Sequence, residues 1–179
     1  MIRRILSFGA VAGLIVGIPL FGISVAWSGH PDSPWGAVIG YLTMLVAFST
    51  VFVAIKRQRD AELGGVIGFW RATLLGVGIS LVASLFYVLA WEAALAVTHM
   101  DFAGEYSRSL IEQKKAAGVT GPALDAFVAQ MEVFRVQYAN PLYRIPMTIA
   151  EILPVGVLVT LVSAGLLRNH RFLPAQRAG

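Results

Sequence analysis

The stretch FWRATLLGVGISLVASLFYVLAWEAALAV, from Phe69 to Val97, carries charge only at Arg71 and Glu92. As an α-helix it exceeds the ~20 residues needed to cross ~30 Å of hydrocarbon. Three more stretches of the same character flank it: Ile5–Trp27, Trp35–Ile55 and Leu142–Leu167. Most of the charge gathers in the gaps between them. The pattern predicts an all-α fold, an integral membrane four-helix bundle, with residues 1–179 forming a single membrane domain.

Composition agrees. Hydrophobic residues make up 57% of the chain and charged residues 13%, with a mean hydropathy of +0.72. Soluble domains carry roughly 25% charged residues. With no cysteine, disulfides, thiolate metal sites and thiol catalysis are excluded.

Lys and Arg sort by side. Alternating crossings put Arg3, Arg4, Lys56, Arg57, Arg59, Arg71, Arg168, Arg171 and Arg177 on one face, with Asp60 and Glu62 as the acids there. Arg108, Lys114, Lys115, Arg135 and Arg144 fall on the other, among six acids: Asp32, Asp101, Glu105, Glu112, Asp125 and Glu132. Positive charge near helix ends marks the cytoplasmic side, so both termini are expected inside. The net charge of +4 is therefore a topology signal with some attraction to anionic headgroups, and no nucleic-acid partner is expected. The run Ile5–Trp27 is longer than the ~7–15 apolar residues of a signal peptide, so it is expected to be a retained helix.

The prolines of Gly29-His30-Pro31-Asp32-Ser33-Pro34 predict a tight outer turn, flanked by Trp27 and Trp35 as interfacial anchors. Residues 101–141 predict an extracytoplasmic helical segment. One helix runs from Phe102 to Ala117 and Gly118 ends it. A second follows, with Thr120 as N-cap, Asp125 in its first turn, an apolar stripe from Leu124 to Tyr138, and a stop at Asn140-Pro141. The plain reading is a cap on the bundle or membrane surface; the sharper one is a lid or a docking hairpin.

Lipid tails are as apolar as leucine, so helices in a bilayer associate through close backbone approach and polar contacts. Each span offers small residues on one face: Gly9, Gly13, Gly17 and Ser24; Gly36, Gly40, Thr43, Ala47 and Thr50; Gly76, Ser80 and Ser84; Gly156, Thr160 and Ser163. Pro19 and Pro154 free the carbonyls of Ile15 and Ala150 and are expected to kink their helices.

Glu92 and Glu151 are the candidate intramembrane carboxyls. A charge at such depth costs several kcal/mol unless paired, neutralised or wetted. One reading is a proton- or cation-binding site; the other is a carboxyl that hydrogen-bonds a neighbouring helix. Glu151 lies ~140–180° around the helix from Gly156 and Thr160, so it faces a second helix, a partner or the cap if those small residues face the core. No continuous polar stripe accompanies it. No catalytic constellation is present. His30, His99 and His170 are isolated, and two histidines without a third ligand make a poor zinc site. No metal and no cofactor is expected.

Gly40-Tyr41-Leu42-Thr43-Met44 leading to Phe52-Val53-Ala54-Ile55-Lys56, then Arg59-Asp60, Gly64-Gly65 and Gly68-Phe69, resembles the bacterial membrane protein family called domain of unknown function 4199. Glu151-Ile152-Leu153-Pro154-Val155-Gly156 followed by Leu161-Val162-Ser163-Ala164 is similar to that family's last helix. The resemblance covers nearly the whole chain and implies a four-span protein of the bacterial inner membrane. It implies no activity.

The function expected from these features is that of a non-enzymatic scaffold or accessory subunit. Its partners are the lipid bilayer and either a second copy or another membrane protein. The alternative is a proton- or ion-coupled small transporter component using Glu151, with Glu92.

Overall fold

The computed structural model describes residues 1–26 and 36–174. The turn expected over Gly29–Pro34, with its anchors Trp27 and Trp35, lies outside the described residues, as does Arg177. Six helices follow in order: α1 (Ile2–Ala26), α2 (Gly36–Glu62), α3 (Phe69–Thr98), α4 (Phe102–Ala116), α5 (Pro122–Tyr138) and α6 (Pro141–Leu167). Four of them, α1, α2, α3 and α6, are long and apolar enough to cross a membrane. Among the described residues there is no strand. The protein is a helical membrane bundle.

Local chemistry sets the helix ends. Past α2, Gly64 and Gly65 take positive φ and the Gly65 N–H returns to the Arg59 carbonyl; a Cβ would oppose that backbone. The Asp101 carboxylate caps α4 by accepting from the Gly104 N–H at 3.0 Å. Asn140 caps α6 in the same manner, accepting from the Leu142 N–H. At the start of α5 the structure corrects the sequence reading. Gly121, not Thr120, is the N-cap and no side chain caps the helix. The cause is Pro122, whose fixed φ and missing N–H suit the first helical position, so the boundary falls one residue later. α2 also runs on past Ile55 to Glu62, carrying the basic cluster on helical backbone. α1 and α6 continue uninterrupted through Pro19 and Pro154, and α6 through Pro146 as well.

Two ridges of α3 organise the bundle. Along the first, a Cβ placed on Gly9 would lie 2.5 Å from the Val82 Cβ, one on Gly13 2.5 Å from the Phe86 Cβ, and one on Gly17 3.3 Å from the Ala90 Cβ. Gly78 meets Ile5 in the same register. Both partners advance four residues at a time in the same direction, so α1 and α3 are parallel and pack by their i±4 ridges. Along the second ridge, Gly76 lies against Thr160 and Gly156 against Ser80. Here the numbers run oppositely, so α3 and α6 are antiparallel. Gly156 also abuts Phe48 of α2, and the Arg59 side chain of α2 reaches the Leu167 carbonyl. Those two pairs share one offset, so α2 and α6 run parallel. Both α2 and α3 contact α1 and α6.

The small residues thus act in pairs of helices rather than in one shared seam. Gly36 and Gly40 stand apart, because among the described residues nothing lies within 4 Å of a Cβ placed on either. Between the helices the core is filled by Val16, Met44, Phe48, Val51, Leu75 and Ile79, each 2% exposed or less. The buried hydroxyls of Ser80 and Ser84 donate to the carbonyls of Gly76 and Ser80 one turn back, so they add no unsatisfied polarity.

Candidate functional site: polar clusters at the two ends of the bundle

At the end of the bundle that carries α4 and α5, Arg144 and Glu92 form a two-pronged ion pair. Nε donates to Oε1 at 2.7 Å and Nη2 to Oε2 at 2.6 Å. Arg144 lies early in α6 and Glu92 late in α3. On antiparallel helices the two positions share a level, continuing the ridge set by Gly76 with Thr160 and Ser80 with Gly156. Nη1 donates to the Tyr138 carbonyl at 3.2 Å, and the guanidinium lies 5.7 Å from the Tyr138 ring. One arginine therefore ties α3, the end of α5 and the start of α6.

Tyr138 is the hub of the cap. Its hydroxyl accepts from the Trp91 Nε1–H at 2.8 Å, and its ring lies 5.6 Å from Phe102 and 5.4 Å from Phe134. Trp91 meets Phe102 edge to face at 5.0 Å, and Tyr106 joins both Phe102 and Phe134. Burial pushes the Tyr138 hydroxyl up to about 12, against smaller opposing influences from Trp91 and Arg144. The phenol therefore stays neutral across the physiological range. The Lys114 ammonium lies 5.5 Å from the Phe127 ring, which links α4 to α5.

Glu151 is held differently. Its Oε1 accepts from the hydroxyl of Tyr87, a buried residue of α3, at 3.3 Å. The residue as a whole is exposed on α6, while its carboxyl reaches toward buried Tyr87. Glu92 and Glu151 share no hydrogen-bond partner; each takes its own donor, Arg144 for one and Tyr87 for the other.

The opposite end holds a second cluster. The guanidinium of Arg59 is completely buried. Nε donates to Asp60 Oδ1 at 2.7 Å, Nη1 to the Phe172 carbonyl at 2.9 Å, and Nη2 to the Leu173 carbonyl. Nη1 also approaches the Leu167 carbonyl at 3.5 Å. Lys56 bonds the second Asp60 oxygen, and Arg4 of α1 pairs with Glu62 at 2.6 Å. A cation at the C-terminus of α6 complements the partial negative charge of its last carbonyls.

The sequence singles out Glu92 but not its partner, and counts Arg144 only among the outer-face cations. Level-matching on antiparallel spans is the signal that pairs them. Arg59 enters the sequence reading only as a surface cation, and Tyr87 not at all. Of the histidines, His99 is exposed in a left-handed backbone conformation at the end of α3, His170 is exposed, and His30 lies outside the described residues. No three His, Asp or Glu side chains among the described residues gather as metal ligands.

No curated protein and no solved structure matches the chain. A family model described as "Protein of unknown function (DUF4199)" matches residues 7–169, a range that reaches all four apolar helices and contains Glu92, Arg144, Glu151 and Arg59. On that match the chain belongs to the DUF4199 family.

Proposed function

We propose that the protein is a non-enzymatic membrane scaffold or accessory subunit. The observation that carries this reading is the internal use of Glu92, Ser80 and Ser84 within the bundle. Glu92 is taken up by Arg144, and Ser80 and Ser84 by their own backbone. Core residues such as Phe48 and Ile79 fill the space a conducting path would need. Glu151, held by one hydrogen bond from Tyr87, stands at an exposed position of α6, where a neighbouring polypeptide would meet it.

The alternative, an ion-coupled transporter component, draws its support from Glu151, since both oxygens of Glu92 are already engaged by Arg144. The charge pattern supports placement in a bacterial inner membrane as a multi-pass protein with both termini cytoplasmic. Photocrosslinking in native membranes, from reactive groups at exposed positions on each long helix, tests the scaffold reading. Discrete adducts with a membrane polypeptide are expected. A protein that yields no adduct from any helix, or whose Glu151→Gln variant abolishes a measurable ion flux, overturns it.

A further inference from the structure

Buried polar side-chain atoms nearly always hold a hydrogen-bond partner, either protein or ordered water. At the basic end of the bundle two of them find none within the chain. Nη1 of Arg4, on α1, and Oε1 of Gln58, on α2, are both buried and make no hydrogen bond among the described residues. One is a donor and the other an acceptor. Gln58 as a whole is 1% exposed, although glutamine is mostly a surface residue.

The Arg4–Glu62 pair brings the two atoms to one place. Nη2 of Arg4 meets Glu62 Oε1 at 2.6 Å, so the guanidinium lies against the last turn of α2. Gln58 and Glu62 are four residues apart in that helix and therefore share a face. Exposure sets their order. The Glu62 side chain is 47% exposed and marks the rim; Gln58 is buried one turn deeper. Nη1 is the buried nitrogen of the same guanidinium, so it turns to the bundle side, where the Gln58 amide stands. Four residues rise about 6 Å along the axis, which sets the scale of the gap. That is too long for one N–H···O bond of ~3 Å and matches two bonds in series.

Whatever spans this gap must accept from Arg4 and donate to Gln58. An anion would face the amide oxygen and the Glu62 carboxylate. A cation would face the guanidinium. Water accepts and donates at once, and the Glu62 carboxylate offers it the further partner that buried waters ordinarily have. We infer that one buried water joins Arg4 Nη1 to Gln58 Oε1 and so fastens α1 to α2. The glycines of α1 set its distance from α3 but carry no directional bond. A rim ion pair such as Arg4–Glu62 contributes little alone. Continued through the water to a buried amide, it becomes a network that fixes how α1 sits on α2. This goes beyond the scaffold reading and stands or falls independently of it.

The full chain, labelled with 15N-glutamine in lipid nanodiscs, provides the test. The side-chain amide signal of Gln58, assigned by eliminating the other glutamines in turn, receives magnetisation from a long-lived water, and Arg4→Met removes that transfer. Gln58→Leu lowers the folded-to-unfolded ratio about five- to thirtyfold. In an Arg4→Met background the same change costs less, by more than the about twofold scatter of independent sites. The water signal is read on the parent chain, so it decides the matter even where a variant fails to fold. No such signal at Gln58 overturns the inference, as does a Gln58→Leu chain no less stable than the parent. Coupling between Arg4 and Gln58 without the water signal marks a direct bond and overturns it too.

Discussion

Arg144 grips Glu92 through two parallel hydrogen bonds of 2.7 and 2.6 Å while its third nitrogen holds the carbonyl of Tyr138. The fork geometry makes this contact more than charge neutralisation. A guanidinium matches a carboxylate in plane and spacing, and the leftover Nη1 fixes the chain where α5 turns into α6. The pair is only partly exposed, 14% for the arginine side chain and 29% for the carboxylate. Neither charge is freely solvated once its partner is gone.

The costs of removing the two partners should therefore not add. Glu92→Gln and Arg144→Gln are each expected to lower stability by about 2 kcal/mol, the scale of a charged hydrogen bond left unmade. The double variant should lose less than the sum of the two. Reversible unfolding in bicelles with a double-mutant cycle measures this. Additive losses would show that the two residues do not act as a unit.

The glycines divide into those that are filled and those that are open. Gly9→Ala, Gly13→Ala and Gly76→Ala each drive a Cβ to 2.5 Å from a neighbouring side-chain atom, and overpacking of this kind costs about 1–3 kcal/mol. Gly40→Ala meets nothing within 4 Å, and within a helix it should be neutral or stabilise by up to about 1 kcal/mol. Unfolding measurements on all four variants check the contrast. Equal effects at Gly13 and Gly40 would refute the α1/α3 register.

Arg59 should act as a latch on the segment after α6. Its Nη atoms bond the carbonyls of Phe172 and Leu173, so Arg59→Gln is expected to release residues 168–174 and raise hydrogen exchange there, with α3 unchanged. Arg59→Lys should not restore protection, because an ammonium cannot address Asp60 and two separate carbonyls with the same planar fork. Protection that survives both substitutions would show that other contacts hold this segment.

Much of this fold was readable before any coordinates. Four long apolar runs become helices because a hydrocarbon solvent leaves the backbone no other partner for its hydrogen bonds. The small-residue stripes of α1, α3 and α6 mark where backbones approach. Pairings were harder. The stripe Gly9-Gly13-Gly17 meets Val82, Phe86 and Ala90, not the small residues of α3, since a glycine groove suits a bulky ridge as well as another groove. Gly36 and Gly40 have the same spacing and no neighbour among the described residues, because composition records that a helix can be approached but not whether anything approaches it. Tyr87 was invisible for a related reason. A phenol midway along an apolar run reads as an apolar residue until its hydroxyl is seen to reach Glu151.

The orientation expected from charge makes a clean final prediction. The end of the bundle bearing Arg3, Arg4, Lys56, Arg57, Arg59 and Arg71 carries most of the cations close to helix ends, and such residues are retained on the cytoplasmic side. Arg59 counts even though it is buried, because insertion reads the chain before the bundle has formed. The hairpin of α4 and α5 is then expected outside. A single cysteine replacing Gln113, exposed near the end of α4, should react with a membrane-impermeant maleimide on intact cells. One replacing Asn169, exposed just past α6, should react only after permeabilisation. The reverse pattern would place the basic end outside. It would also require that the acidic residues, or a partner during insertion, override the arginines.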